Sequence, residues 1–426
     1  MIKISNLIII FIAVVFFPRI LTAIGAPTLI NFLHFPFVLL LAGLSIPKIT
    51  TSTSKQFFIG LFILFTTITA SAFVSNAGYL NIILSFLLLA EPFLLLMIIT
   101  STPTSQVSNE QFKTWLMIFS FIHIIIIYYQ FFIVRSPDPD DVQGVFTGQG
   151  AGHHVGGAIA LAVAVFFVLT YPKLELWLRI LVGVIFAADI SFSDSKQVLI
   201  VFVLSFIIII FTKLKSIGEV IKYLAIALVI ICLTYLFAQI AFSSSLSFWG
   251  RDNRIFTGLA VKFSVFPVIN SYYTSPLNWL FGIGPGHSIG RLAWLIPDYQ
   301  ELLQPLGITS NPAVAETIFL INNTHPLTNK FTGSSMFSLT FSWAGVWGDI
   351  GIVGLTIYLY LWSLVWKTCP DTLSQFFLVT ILVHGVIFSW MEEPGYMLFM
   401  MSLIGIQWQK AQLAAPRPSQ VLAKKA

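Results

Sequence analysis

Apolar positions in this chain come in unbroken runs rather than in alternation. Stretches such as LNIILSFLLLA and IIIIYYQFFIV are flanked by further apolar residues and interrupted only by short polar breaks. A run of about 20 apolar residues spans a bilayer as a helix, because lipid offers no partner for backbone N–H and C=O groups. The pattern predicts twelve such helices, at roughly 5–24, 27–46, 56–75, 79–100, 112–134, 155–171, 175–191, 197–212, 220–242, 347–366, 373–390 and 394–409. Two segments break the pattern. Residues 135–154 form a polar loop with Pro137, Pro139, Asp138, Asp140 and Asp141, and residues 243–335 have soluble composition. The run MFSLTFSWAGVWG at 336–348 reads as an interfacial helix leading into the tenth span.

This pattern divides the chain into 1–242 with nine spans, 243–346 as a long outward loop with short helices, 347–409 with three spans, and 410–426 as a disordered cytoplasmic tail. The fold class is an all-α polytopic membrane protein. Composition agrees: 57% of residues are hydrophobic and 9% charged, against about 25% charged in a soluble protein. An outer-membrane barrel requires short alternating segments, which are missing. The first run lacks a small-residue cleavage site and reads as a retained helix. Cys232 and Cys369 lie far apart, in or beside predicted helices, without metal-ligand spacing.

Charge sets the orientation. Cytoplasmic loops of membrane proteins are enriched in Lys and Arg. With both termini cytoplasmic, most of the 22 cations fall inside. The exceptions are Arg19, Arg135, Lys196, Arg251, Arg254, Lys262, Arg291 and Lys330. The net charge of +5 is spread through membrane loops and gives no sign of nucleic-acid binding. Cations gathered at the outer face suit an anionic ligand such as a phosphate, for which the guanidinium fork is well shaped. Nearby carboxylates, among them Asp138, Asp140, Asp141, Asp194 and Asp252, offer the alternative of local ion pairs.

Several short motifs carry candidate chemistry. GVFTGQGAGHHVGG at 144–157 enters the sixth span; its glycines permit close backbone approach, and His153 and His154 point about 100° apart on a helix. WLFGIGPGHSIGR at 279–291 reads as a glycine-rich turn that positions His287 and Arg291; it lacks the strand and later acid of a dinucleotide motif. NNTHPLTNK at 322–330 presents His325 before a proline, hence extended, where a histidine serves as base or phosphate donor. Glu91 precedes Pro92 at an expected kink and reads as a structural pair within the bundle. Asp189 and Asp194 flank Lys196 as groups that hold or tune it. Glu392 and Glu393 read as an acidic exterior turn, with a role as base also open. Walker motifs, metal-ligand clusters and Gly-x-Ser-x-Gly elbows are missing, so neither a metal nor a cofactor is expected.

Four patterns in order, GVFTGQGAGHHVGG, SDSKQVLIV, LFGIGPG and WGDIGIVGLTIYL, give the chain a resemblance to the bacterial polysaccharide polymerase and O-antigen ligase superfamily, Wzy-like and WaaL-like. The resemblance extends to the overall layout of about a dozen spans with a long late outer loop, and it implies a GT-C-like fold. It departs at Lys196, where the family usually carries arginine. It departs again at Thr340, where a ligase carries its loop histidine if Gly351–Gly354 is the Gly-x-x-Gly motif. That second departure argues for polymerase over ligase.

The resemblance implies a membrane glycosyltransferase at the outer face of the bacterial inner membrane. Its donor is a polyprenyl-pyrophosphate-linked oligosaccharide, and a flippase and a chain-length regulator are implied partners. Arg135, Lys196, Arg251, Arg254 and Arg291 are then the expected pyrophosphate-binding cations. His325, His287 and His154 are the expected candidates for base, with Asp189, Asp194 and His153 in support. The alternatives are a ligase acting on lipid A-core and, from another class, a secondary transporter of an anion. A transporter normally shows inverted repeats and midplane charges, and neither is evident.

Overall fold

The computed structural model describes residues 4–49, 51–102, 105–148, 151–213, 228–229, 231–236, 239, 253–328 and 334–414. Arg251, Lys330 and most of the ninth expected span, 220–242, lie outside the described residues, as does the tail beyond Ala414. Among the described residues the protein is all-helical. Six helical stretches are long and apolar enough to cross a membrane: Thr28–Lys48, Ser52–Ser75, Tyr79–Ser101, Ser108–Val134, Gly152–Thr170 and Ser335–Thr368. Ile4–Phe16, Lys196–Thr212 and Thr372–Ile387 are shorter apolar helices. The protein is therefore a helical membrane protein.

Local chemistry sets the helix ends. Helix α1 (Ile4–Phe16) breaks at Phe17 because Pro18 has no N–H to continue it, and α2 (Pro18–Ala23) restarts with that proline in its first turn. After α3 (His34–Ser45), α4 (Ser52–Ser75) begins where the Thr51 hydroxyl caps the Ser54 N–H, and it ends at left-handed Asn76. Next come α5 (Tyr79–Ser101), which contains Pro92, and α6 (Gln106–Tyr129), which ends in a π-turn over Gln130–Val134. α7 (Gly152–Thr170), α8 (Leu176–Ala187), the short α9 (Asp189–Phe192) and α10 (Lys196–Thr212) follow.

The outer segment is built from α11 (Arg254–Phe263), α12 (Val265–Asn270), α13 (Leu277–Phe281), α14 (Arg291–Asp298), α15 (Gln300–Leu303) and α16 (Pro312–Thr324). The chain closes with α17 (Ser342–Thr368), α18 (Thr372–Ile387), whose start is a capping box between Asp371 and Ser374, and α19 (Pro394–Ala414).

α5 is apolar on every side, as a central helix must be; from Leu87 to Ser101 every residue is buried. It packs against α3, α4 and α19, while α7 packs against α8 and α19. The outer segment rests on this bundle through two apolar patches. Val265, Ile269, Ile283, Ile289, Val314 and Ile318 pack with Leu339, Phe341 and Ala344 at the entry to α17. Leu292, Ile296, Leu303 and Ile308 pack onto Phe35, Leu87 and Leu88 of the bundle.

Three expectations need correction. The run 336–348 is no separate interfacial helix. Ser335–Phe337 is a 3-10 turn, the chain is then extended, and Ser342 opens α17. The reason is local: the Ser342 N–H and hydroxyl both engage the Phe388 carbonyl, which fixes the helix start. α19 continues past Gln409 to Ala414. Glu392 and Glu393 are not an exposed acidic turn: both are buried, at 5% and 3% exposure.

Candidate functional site

The four motifs behind the resemblance meet in two pairs. In the first, the loop GIGPGHSIG wraps the side chain of Asp349 in α17. Asp349 accepts hydrogen bonds from the Gly286 N–H (3.0 Å), the Ser288 N–H (2.9 Å) and the Ser288 hydroxyl (2.5 Å). The Ile283 and Gly284 N–H groups donate to the carbonyls of Gly348 and Asp349. Such an approach needs glycine: at Gly282 (φ +76°) a Cβ would fall 2.5 Å from the Asp349 backbone. The same contact kinks α17 at Gly351 (φ +67°), where a Cβ would lie 2.4 Å from the Leu280 carbonyl.

In the second pair, the SDSK turn sits on the HHVGG segment. The Ser195 hydroxyl donates to the His153 carbonyl (2.9 Å), and a Cβ on Gly157 would lie 2.9 Å from Ser195. Asp194 adopts a left-handed conformation (φ +48°), which Asp tolerates better than most residues. Its carboxylate pairs with Lys196 at 2.5 Å.

Around the first pair lies a cluster of guanidinium and carboxylate groups. Gly290 caps α14 so close to α17 that a Cβ there would fall 2.8 Å from Asp349 Oδ2. Arg291 follows in the first turn of α14; its backbone N–H donates to Glu392 Oε2 (3.0 Å), and its guanidinium pairs with Glu393 Oε2. Arg19, placed in the first turn of α2 by the Pro18 break, donates to the other oxygen, Glu393 Oε1, at 3.0 Å. One carboxylate, 3% exposed, thus holds two guanidiniums that are each about one-fifth exposed (21% and 20%). Burial would raise the Glu393 carboxyl, but the charges of Arg19 and Arg291 outweigh it and hold it below the usual carboxylate range. Glu392 behaves oppositely. Burial, reinforced by the charge of Asp349, pushes it up to about 8, so it carries its proton at neutral pH. Close by, His34 Nδ1 lies 2.6 Å from Glu91 Oε1, which makes Glu91 the structural pair expected of it.

The second cluster surrounds the SDSK turn. Asp194 and Lys196 form its ion pair, and His153 Nε2 lies 3.6 Å from Asp140 Oδ1. Behind them is a buried dyad that sequence reasoning missed. His123 of α6 accepts the Val145 N–H on Nδ1 (3.2 Å), so its proton sits on Nε2, 3.5 Å from Asp189 Oδ2. Asp189 therefore faces His123, and of the two acids expected to hold or tune Lys196 it is Asp194 that pairs with it. The His123 ring is clamped between glycines: a Cβ on Gly144 would fall 2.3 Å from its Nδ1, and one on Gly156 2.7 Å from its Cε1. Two of the six glycines of GVFTGQGAGHHVGG, Gly144 and Gly156, admit this ring.

The two clusters adjoin through a buried aromatic layer. The His154 ring lies 3.9 Å from that of His153 and packs against Phe388 (5.0 Å) and Trp390 (5.9 Å), the residues that lead into Glu392 and Glu393. It is 2% exposed and sits behind this layer, a poor position for a base.

The remaining candidates lie elsewhere. His287 is buried on the far side of the glycine loop, hydrogen-bonded through Nε2 to Thr309 Oγ1 (2.8 Å), and burial lowers its basicity. His325 is extended, as its proline predicts, and half-buried at the end of α16, with Nδ1 accepting the Leu327 N–H. Arg254 opens α11, and Arg135 is exposed in a left-handed turn after α6. The described cations thus do not form one set: Arg291 belongs with Arg19, and Lys196 with Asp194. Among the described residues no group of His, Cys, Asp or Glu is arranged to hold a metal. Compared with models of known protein families and with curated proteins, the chain matches none.

Proposed function

We propose that this protein is a membrane glycosyltransferase that polymerises polyprenyl-pyrophosphate-linked oligosaccharides at the outer face of a bacterial inner membrane. In this reading the fold is GT-C-like, with twelve spans and both termini cytoplasmic. The observation that carries it is the pair Arg19 and Arg291, which come from the first helices and from the outer segment and converge on one buried carboxylate. Glu393 holds both guanidiniums in place, so their orientation is set before any ligand arrives. That arrangement suits a leaving group whose negative charge grows in the transition state. The pairing of the four family-like motifs into two contacting units supports the same reading.

In the reaction, a hydroxyl oxygen of the acceptor glycan bonds to the anomeric carbon of the donor sugar. The bond from that carbon to the pyrophosphate oxygen breaks, and its electron pair leaves on polyprenyl pyrophosphate, facing Arg19 and Arg291. The hydroxyl proton goes to a base, and His153 beside Asp140 takes that role in this reading, in place of His325, His287 and His154.

The test is elongation by the purified protein. Incubated with lipid-linked repeat units and no nucleotide, it should yield longer lipid-linked glycans. Arg19→Lys and Arg291→Lys, which keep the charge and lose the fork, should each slow elongation by about 100-fold, the scale for losing one oriented donor to a developing charge. Unchanged elongation in both variants would remove the role of the pair. Transfer only onto lipid A-core would replace polymerase by ligase, and flux of an anion across vesicles without glycan extension would replace both by a transporter.

A further inference from the structure

The Arg19–Arg291 cluster accounts for a phosphate, and it leaves the second cluster without a task beyond proton transfer. That second cluster has a different chemistry. Among the described residues its paired charges are the carboxylates of Asp194 and Asp140 and the ammonium of Lys196, with side-chain exposures of 34%, 59% and 19%. Asp140 lies close enough to feel the charges of both Asp194 and Lys196. A surface with this much carboxylate repels phosphate. An adjacent ammonium and carboxylate, however, present a donor beside an acceptor, which matches neighbouring hydroxyls that each donate and accept.

An aromatic shelf adjoins this group. Phe192 lies two residues before Asp194 and stacks on Phe131, with ring centroids 4.2 Å apart and planes at 22°. Phe132 meets both rings edge-on, at 5.0 and 5.6 Å. Phe131 and Phe132 are 38% and 52% exposed at the end of their helical stretch, next to the polar 135–141 segment. A flat apolar ring bordered by paired hydroxyl-binding groups fits the two faces of a pyranose, with C–H groups against the ring and hydroxyls against the charges.

We infer that the group Phe131, Phe192, Asp194, Lys196 and Asp140 is a carbohydrate subsite, which receives the acceptor glycan while the Arg19–Arg291 cluster receives the donor's pyrophosphate. The assignment to the acceptor rests on the polymerase reading; the preference for sugar over phosphate does not. It gives a reason for lysine at position 196. A glycan that keeps all its bonds at this place needs a hydrogen-bonding point charge, whereas the departing pyrophosphate needs the guanidinium fork.

The test measures binding to the full-length protein in nanodiscs with two lipid-free probes. One is the repeat-unit oligosaccharide released by mild acid from the same cells' lipid-linked material; the other is inorganic pyrophosphate. Lys196→Gln, Asp194→Asn and Phe131→Leu should each weaken oligosaccharide binding at least tenfold and leave pyrophosphate binding within twofold. Leucine keeps an apolar side chain for the bilayer boundary, so a loss in Phe131→Leu reports on the ring face. Arg19→Lys should do the reverse. Thermal midpoints of the variants separate folding defects from lost contacts. The inference is overturned if the wild type binds no oligosaccharide, or if Lys196→Gln weakens pyrophosphate and spares the oligosaccharide. Oligosaccharide binding at this group without any elongation would leave the carbohydrate subsite standing and remove the polymerase reading.

Discussion

Lys262 gives the sharpest test of how the outer segment is fastened. It lies on α11, is 2% exposed, and donates from Nζ to the Ser338 and Ile387 carbonyls, both at 2.9 Å, under the Phe341 ring at 4.8 Å. One side chain thus joins the outer segment, the entry to α17 and the end of α18. Burial pushes its pKa from 10.5 down to about 7. The hydrogen count agrees, because a neutral amine has two N–H groups for the two carbonyls. Opening α11 returns the lysine to water and to its ordinary value. Between about 7 and 10.5 the opened state therefore binds one more proton than the closed state, and raising the pH disfavours opening. The contribution is fully present above 10.5 and is lost as pH falls through about 7.

Well above the closed-state value each pH unit is worth about 1.4 kcal/mol, and at pH 7 about half of that, so from pH 7 to 9 the opening of α11 should become about 2.3 kcal/mol harder, roughly fiftyfold in protection. Lys262→Met keeps the stem volume, removes the titration and leaves two buried carbonyls unpaired, at a cost of about 1–3 kcal/mol each. The assay is amide hydrogen exchange across 254–263 in detergent, corrected for the intrinsic pH dependence of exchange. The gap between wild type and Lys262→Met should widen by about 2.3 kcal/mol in all from pH 7 to 9. A gap that stays constant or narrows refutes the buried-amine reasoning.

Glu393→Gln leaves Arg19 and Arg291 facing no negative partner on that residue and should cost roughly 3–5 kcal/mol, read as a lower thermal midpoint. Glu392→Gln should do the opposite at neutral pH. The native carboxyl is raised from 4.5 to about 8, so the wild type is destabilised progressively as pH rises from 4.5 towards 8, and a glutamine escapes that loss. Equal midpoints for wild type and Glu392→Gln at pH 5 and pH 8 would contradict it. Gly351→Ala combines a left-handed backbone with a Cβ driven onto the Leu280 carbonyl, and should cost at least about 3 kcal/mol and abolish a monodisperse elution peak. Gly144→Ala should displace the His123 ring and lower the thermal midpoint by several degrees, whereas Gly148→Ala, with open space around its Cβ, should pay only the smaller penalty of its positive φ.

Helices were legible because the bilayer leaves the chain few choices. The expected 79–100 and 56–75 became Tyr79–Ser101 and Ser52–Ser75, and the shift in the second is the Thr51 cap, which lies outside the apolar run. The first run hid a break at Phe17 because Pro18 tolerates a helix start as readily as it ends one. The clusters were far less legible. Arg19 and Glu393 are 374 residues apart, and nothing local to either announces the other. Glu392 and Glu393 read as exposed because two acids before Pro394 usually mark a solvated turn; here the start of α14 and the Arg19 guanidinium cover them. His123 was hidden in an apolar helix, and its only signal was indirect, in the glycines of a segment that makes room for it.

The SDSK turn shows where sequence likeness and chemistry separate. Its geometry comes from backbone and small side chains: the Ser195 N–H bonds to the Ile190 carbonyl, the Ser195 hydroxyl to the His153 carbonyl, and Gly157 leaves space for both. None of these contacts involves the side chain at 196. The turn therefore fixes the position of residue 196 at the start of α10 through contacts that its side chain does not make. In the reading proposed above, an ammonium paired with Asp194 would serve a neutral, hydroxyl-rich partner, and Arg19 and Arg291 would supply the fork for a departing phosphate.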